Sequence, residues 1–216
     1  WYISSDARFA RSGSRYACFN GGGRAADDWF FSQGLALKQG HTYRIKFYAH
    51  ALGANQETLA MRLTSHPDAS SNHFESSYTV VGDHWTLFER DIAVSVNEPL
   101  LYLGWHVSSA SSVMVFIDDI SIEDITPRHS LSVAVSGLSG SESVNVRLRV
   151  PAGDSLASLS ASATSHSFGE FVSGTGWQLA AENIPTTRNC TWQGSGSATI
   201  SGTLTSPDLV IKGWIS

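Results

Sequence analysis

Apolar and polar residues alternate with period two along most of this chain, and a 3.6-residue apolar period persists almost nowhere. The clearest run is His41–His50, where Tyr43, Ile45, Phe47 and Ala49 share one phase and Arg44, Lys46, Tyr48 and His50 the other. In a strand these phases become two faces, one packed on a core and one solvated or ligand-facing. Thr58–Thr64 repeats the pattern through Leu59, Met61 and Leu63. Further strands are predicted at Tyr16–Phe19, from Asp27 to Ser32, and at Phe74–Val81, His84–Val94 and Leu100–Val107. Asn20-Gly-Gly-Gly23 and the loop from His66 to Asn72 supply turn residues between them.

The stretch Ser112–Ile125 reads as the closing strand of this set. Met114, Phe116, Asp118, Ile120 and Ile122 alternate with Val113, Val115, Ile117, Asp119 and Ser121, so both faces are apolar until two acids interrupt. A carboxylate in an apolar strand costs several kcal/mol unless it is paired, hydrogen-bonded or bound to a cation. Two explanations stand for Asp118 and Asp119: they cap donors at the end of the strand, or they are oxygen ligands of a structural Ca²⁺. Either way they stabilise the fold rather than do chemistry.

Eight strands at intervals of about 10–15 residues suit a double-sheet jelly roll better than a barrel. The pattern breaks at Ile125-Thr-Pro-Arg-His129, where Pro127 removes a donor and restricts the residue before it. Beyond it the composition shifts to Ser, Gly, Ala and Thr, and alternating strands recur at Leu131–Val135, Val144–Val150, Leu156–Ala163, Ser197–Leu204 and Leu209–Trp214. That spacing is expected of an Ig-like sandwich. The predicted architecture is therefore all-β, a jelly-roll β-sandwich over residues 1–126 followed by an Ig-like β-sandwich over 130–216.

A charged content of 15% lies well below the roughly 25% of an average globular domain, while 42% hydrophobic residues exclude disorder. A net charge of −5 with no basic cluster gives nucleic acid no electrostatic footprint. No segment approaches the run of about 18 apolar residues that a spanning helix needs, so no membrane insertion is expected. Cys18 and Cys190 fall in different predicted domains and are read as free and buried, an interdomain bridge being the alternative. Opening on Trp1-Tyr2, the sequence is read as part of a larger multidomain chain or assembly.

Of the eight histidines, none has the spacing of a helical metal site, and no Gly-x-Ser-x-Gly elbow, Walker sequence or Cys-x-x-Cys occurs. No catalytic residue is nominated. The seven tryptophans say more, because an indole face is an anchor for sugar rings and for protein partners. Trp29, Trp105 and Trp177 sit in apolar strands and are assigned to packing; Trp85 is expected at a strand mouth and Trp192 in an exposed turn. Arg44, Tyr48, His50, Tyr102 and His106 are expected to share one outward sheet face, with Trp85 beside it, as the ligand-binding surface. Asn189-Cys-Thr191 matches a glycan-acceptor pattern, a chance match if the protein is bacterial.

Four segments, Arg11–Tyr16, Asp28–Ser32, Gly40–Ala49, and Trp85–Phe88 ahead of Phe116–Ile120, together resemble the cleaved-adhesin or MAM-like jelly rolls of bacterial surface proteins. They are similar as well to xylanase-associated carbohydrate-binding modules. The resemblance covers residues 1 to about 125. It implies a non-catalytic module, often with a structural Ca²⁺ held partly by the closing-strand aspartates, to which only Asp118 or Asp119 corresponds here. Leu148–Leu156, Gly176–Leu179 and Gly194–Ile200 loosely resemble bacterial surface repeats of the DUF11 kind, which implies a spacer or stalk in an exported protein. The expected function is binding of a glycan or a partner protein surface by a module located extracellularly or at the cell surface. The alternatives are a structural stalk or decoration of a cell-surface or virion assembly and, third, a hydrolase fragment.

Overall fold

The computed structural model describes residues 1–22, 26–52, 56–82, 84–109, 113–193, 195, 199–204 and 209–216. Gly23 of the predicted turn, Asp83, Ser112, and Gly194 with 196–198 of the loosely matched repeat segment lie outside the described residues. The chain forms two compact units, Trp1–Ile125 and Thr126–Ser216. All named elements are strands.

In the first unit they are β1 (Tyr2–Ser4), β2 (Tyr16–Asn20), β3 (Ala26–Phe31), β4 (Thr42–Ala51), β5 (Gln56–Thr64), β6 (Phe74–Val81), β7 (Thr86–Ala93), β8 (Tyr102–Ser109) and β9 (Met114–Asp124). A five-stranded sheet has the order β1-β2-β9-β4-β7 and a four-stranded sheet the order β3-β8-β5-β6. Every pairing of these strands is antiparallel, and six of the eight connections between them cross from one sheet to the other, as in a jelly-roll winding. The alternation seen in the sequence is what closes it. Tyr43, Ile45, Phe47 and Ala49 of β4 meet Leu59, Met61 and Leu63 of β5 and Leu103, Trp105 and Val107 of β8 in one buried core. Trp1 also packs there, its ring 5.6 Å from Phe19 and 5.8 Å from Phe30.

The closing strand departs from strict alternation. Tyr48 pairs with Asp118 but Lys46 pairs with Ser121, so β9 carries an extra residue where Asp119 takes φ 49°. This bulge reverses the phase. Ile122, predicted to share a face with Met114 and Phe116, instead packs on the core with Val115 and Ile117.

The second unit contains β10 (Arg128–Ser136), β11 (Ser143–Val150), β12 (Gly153–Ser160), β13 (Ser165–Val172), β14 (Gly176–Glu182), β15 (Cys190–Trp192), β16 (Thr199–Thr203) and β17 (Leu209–Ile215). Two four-stranded sheets, β13-β10-β17-β15 and β12-β11-β14-β16, enclose a core of their own, as expected of an Ig-like sandwich. All pairs are antiparallel except β10 with β17, the first and last strands. Three strands escaped the sequence pattern: β13, β14 and the short β15. Trp192, expected in an exposed turn, is 1% exposed at the end of β15, with its ring against Gly213. Cys18 and Cys190 are both free and buried.

Candidate functional site

The expected ligand residues separate onto two sheets. Arg44, Tyr48 and His50 point outward from β4 in the five-stranded sheet, whereas Tyr102 and His106 point outward from β8 in the four-stranded sheet. The two groups lie on opposite outer faces of one sandwich and form no common surface, which corrects the expectation of a shared face. Strand phase is readable in sequence, but which sheet a strand joins depends on long-range pairing.

On the five-stranded face, the nominated side chains already have partners within the chain. The segment between β1 and β2 crosses this face: Phe9 stacks on Phe116 at 6.0 Å, and the Arg11 guanidinium lies 3.4 Å from the Tyr48 ring centroid. His50 is 4.6 Å from Phe116 and meets Trp85 edge-on at 4.4 Å. Trp85 and Met114 in turn pack on buried Tyr16, Cys18 and Phe116, a small second core under the crossing segment. Arg44 makes two hydrogen bonds to Asp91, at 2.8 and 2.9 Å, which hold its guanidinium charged more firmly than usual.

The four-stranded face has a different character. Trp29 of β3 points outward, opposite His106, rather than into the core as its sequence context suggested. The rings of Trp29 and His106 are near-parallel, 13° apart with centroids at 4.4 Å, and Phe31 stacks near Trp29 at 5.5 Å and 12°. Phe31 and Trp29 lean across β8 above Gly104, where an added Cβ would come within 2.5 Å of Phe31 Cε1 and 3.1 Å of Trp29 Cε3. Around this stack stand planar polar groups. The Arg62 guanidinium is 4.9 Å from the Trp29 ring centroid and pairs with Glu75 at 3.0 Å. Asn72 donates to the same Glu75 carboxylate at 2.9 Å, and His106 Nε2 contacts Asp27. Tyr102 continues the row along β8, two outward positions beyond His106.

Trp29, Phe31, Arg62 and Glu75 were therefore missed as site residues. The signal that would have found them is Gly104 itself, a glycine inside the apolar run Leu103–Val107. Such a residue weakens a strand unless something has to approach it closely.

Asp118 and Asp119 are held by the segment that crosses the five-stranded face. Asp118 Oδ2 accepts the backbone N–H of Arg11 at 2.8 Å and of Ser12 at 3.3 Å, and its Oδ1 accepts the N–H of Asp119 at 2.8 Å. The Asp119 carboxylate meets the Arg11 guanidinium and the Ser12 hydroxyl, and these contacts, the Ser12 bond first, lower its pKa. All four oxygens thus face donors, and one of those donors is a cation. A Ca²⁺ ion here would lie against the Arg11 charge and would have to displace N–H groups, so the residues as arranged do not fit that metal. Among the described residues, no cluster of three or more His, Cys, Asp or Glu side chains is disposed to hold a metal.

For hydrolytic chemistry the nearest arrangement is Ser65 Oγ, 2.6 Å from His73 Nε2 on an exposed loop. No carboxylate is seen on the other ring nitrogen among the described residues, so it lacks the orienting third member of a triad.

The first unit is thus a jelly roll with one outer face closed by its own chain and the other carrying an open aromatic stack. No family model matches the chain, and no curated protein matches it. Among solved structures, it is similar to a family 4 carbohydrate-binding module, at 16% identity over 57% of this chain and 86% of that one, with a TM-score of 0.43. It is also similar to a family 16 carbohydrate-binding module, at 13% identity over 56% and 82%, TM-score 0.40. A third is the Clostridium thermocellum endo-1,4-β-D-xylanase fragment with family 22 binding and catalytic modules complexed with xylohexaose, at 16% identity over 62% and 28%, TM-score 0.40. Each is a likeness of fold.

Proposed function

We propose that the first unit is a non-catalytic module that binds a glycan on the outward face of its four-stranded sheet. The observation that carries this reading is the stack of Phe31, Trp29 and His106 on a face that covers no core, with Arg62 over the indole. Half-buried rings on an outer sheet face lose part of the stabilisation that burial would give them. A sugar supplies what is missing: its axial C–H groups pack on aromatic carbon, and its hydroxyls pair with planar forks such as Arg62, Glu75 and Asn72.

The carboxylates of this face support binding rather than hydrolysis. Asp27 is engaged by His106 and Glu75 by Arg62, and they stand on β3 and β6, the two edges of the sheet. Three strand spacings of about 4.8 Å separate them by roughly 14 Å or more, beyond the roughly 5–9.5 Å over which paired glycosidase carboxylates work. Extracellular or cell-surface display of such a module, within a larger chain, belongs to the same proposal.

Affinity electrophoresis against a panel of soluble plant and microbial polysaccharides tests it. Retardation by at least one polymer is expected, weakened about tenfold or more in Trp29→Ala, the scale of an aromatic anchor. Trp85→Ala and Tyr48→Ala, on the closed face, should bind as the parent does. If no polymer retards the parent chain, the reading is wrong, and a purely structural module takes its place.

A further inference from the structure

We infer that the second unit carries a carbohydrate subsite of its own, selective for a pyranose bearing a carboxylate, at the outward end of β17. Every residue it uses belongs to the second unit, so it does not rest on the function proposed for the first.

Trp214 is 45% exposed on the outer face of β17, and no ring or hydrogen-bond contact engages its indole among the described residues. Beside it, in register on β10, the outward positions are the small residues Ala134 and Ser136, paired with Lys212 and Trp214 respectively. A large flat side chain next to small ones leaves a step in the sheet surface. That step is a cavity of about 220 Å³ lined by Ala134, Ser136, Thr164, Lys212 and Trp214. It lies below the range of about 300–1,000 Å³ occupied by drug-sized ligands, which suits a single ring.

The lining selects among rings. Trp214 offers the only aromatic wall of this cavity, so one face of the ligand must be apolar, while Thr164 and Ser136, whose hydroxyl donates to the Gly213 carbonyl at 3.4 Å, line the other edges with polar groups. A pyranose has this two-sided character. Lys212 lies one outward position from Trp214 on the same strand, with no carboxylate paired to it among the described residues and none in the lining. An ammonium without a counter-ion beside a stacking surface favours a ring that brings a carboxylate, as hexuronates do. Elsewhere in this unit the arginines are engaged by acids: Arg147 by Glu182 and Arg188 by Glu142.

The test is a titration of the ¹⁵N-labelled full chain with oligogalacturonate and, separately, with neutral galacto-oligosaccharide, following the indole N–H that Trp214→Phe identifies. The expected result is a shift of that resonance with the uronate and a much smaller one with the neutral sugar. Affinity should fall about tenfold in Trp214→Ala and about threefold in Lys212→Gln, the weight of an exposed ion pair. Trp29→Ala should leave this titration unchanged, which separates the site from the first unit's face. An unmoved Trp214 resonance, equal binding of the neutral sugar, or wild-type affinity in Lys212→Gln overturns the inference. Because Lys212 is exposed, that variant remains informative even if Trp214→Ala misfolds.

Discussion

Gly104 is where a single absent side chain shapes a surface. Its Cβ would occupy space that Phe31 and Trp29 fill, so Gly104→Ala must push both rings off β8 or bend the strand beneath them. Overpacking of this kind costs about 1–3 kcal/mol. The expected outcome is a lowered melting temperature together with lost polysaccharide retardation, measured on the same preparation; a variant that binds normally would mean the stack is not the contact surface. Asp119 is the second such residue. Its left-handed φ is tolerated by Asn, so Asp119→Asn removes the charge and leaves the bulge. Because its folded pKa is depressed by Ser12 and Arg11, the carboxylate adds stability above its unfolded pKa of about 3.9. That contribution is lost as pH falls through the lower folded value. Chemical denaturation should find Asp119→Asn less stable by about 1 kcal/mol at neutral pH, with the two curves converging under acid; parallel curves at every pH would refute the assignment. At this scale the sequence was least legible. In Asp28-Trp29-Phe30-Phe31 neighbouring aromatics must face opposite ways, and hydropathy alone does not say that Phe30 goes in and Trp29 out.

Among the elements, the segment between β1 and β2 decides which face of the jelly roll is open. It lays Phe9 over Phe116 and Arg11 over Tyr48, and its Arg11 and Ser12 donors lock onto the β9 bulge. The sequence disclosed the acids of β9 and the outward phase of β4, since both follow from period two. It did not disclose what covers them, because Phe9 and Arg11 belong to no periodic run and reach Phe116, Asp118 and Asp119 across more than a hundred residues of chain. The same reasoning bears on calcium. With every oxygen of Asp118 and Asp119 already accepting a hydrogen bond, neither EDTA nor added Ca²⁺ should move the melting temperature, where a cation bound only by the folded state would raise it by several degrees. Stabilisation by Ca²⁺ that EDTA reverses would show that the Arg11–Ser12 clamp opens to admit a metal.

For the whole molecule, order along the chain carried more information than any single motif. Strands that alternate strictly and occur at regular spacing can close as two sheets in few ways, and the jelly roll is one of them. The unit from Trp1 to Ile125 was therefore legible in outline, whereas β13 and β15 were hidden by serine-rich or very short sequences that carry little hydrophobic period. Each unit buries its own cluster, one built around Phe47, Trp105 and Met61 and the other around Trp192, Trp177 and Leu148. A unit with its own core should not need the other to fold. We expect residues 1–125, produced alone, to melt in one cooperative transition by circular dichroism and to keep the polysaccharide retardation of the full chain. Replacing Trp105, 0% exposed at the centre of that core, by Ala should cost about 3–5 kcal/mol, enough to unfold a marginally stable domain. The same substitution in the full chain should leave the second unit's transition in place. A full chain that loses all cooperative structure with Trp105→Ala would mean that the two clusters are energetically one, and residues 1–125 alone would then not hold the fold that carries the proposed binding face.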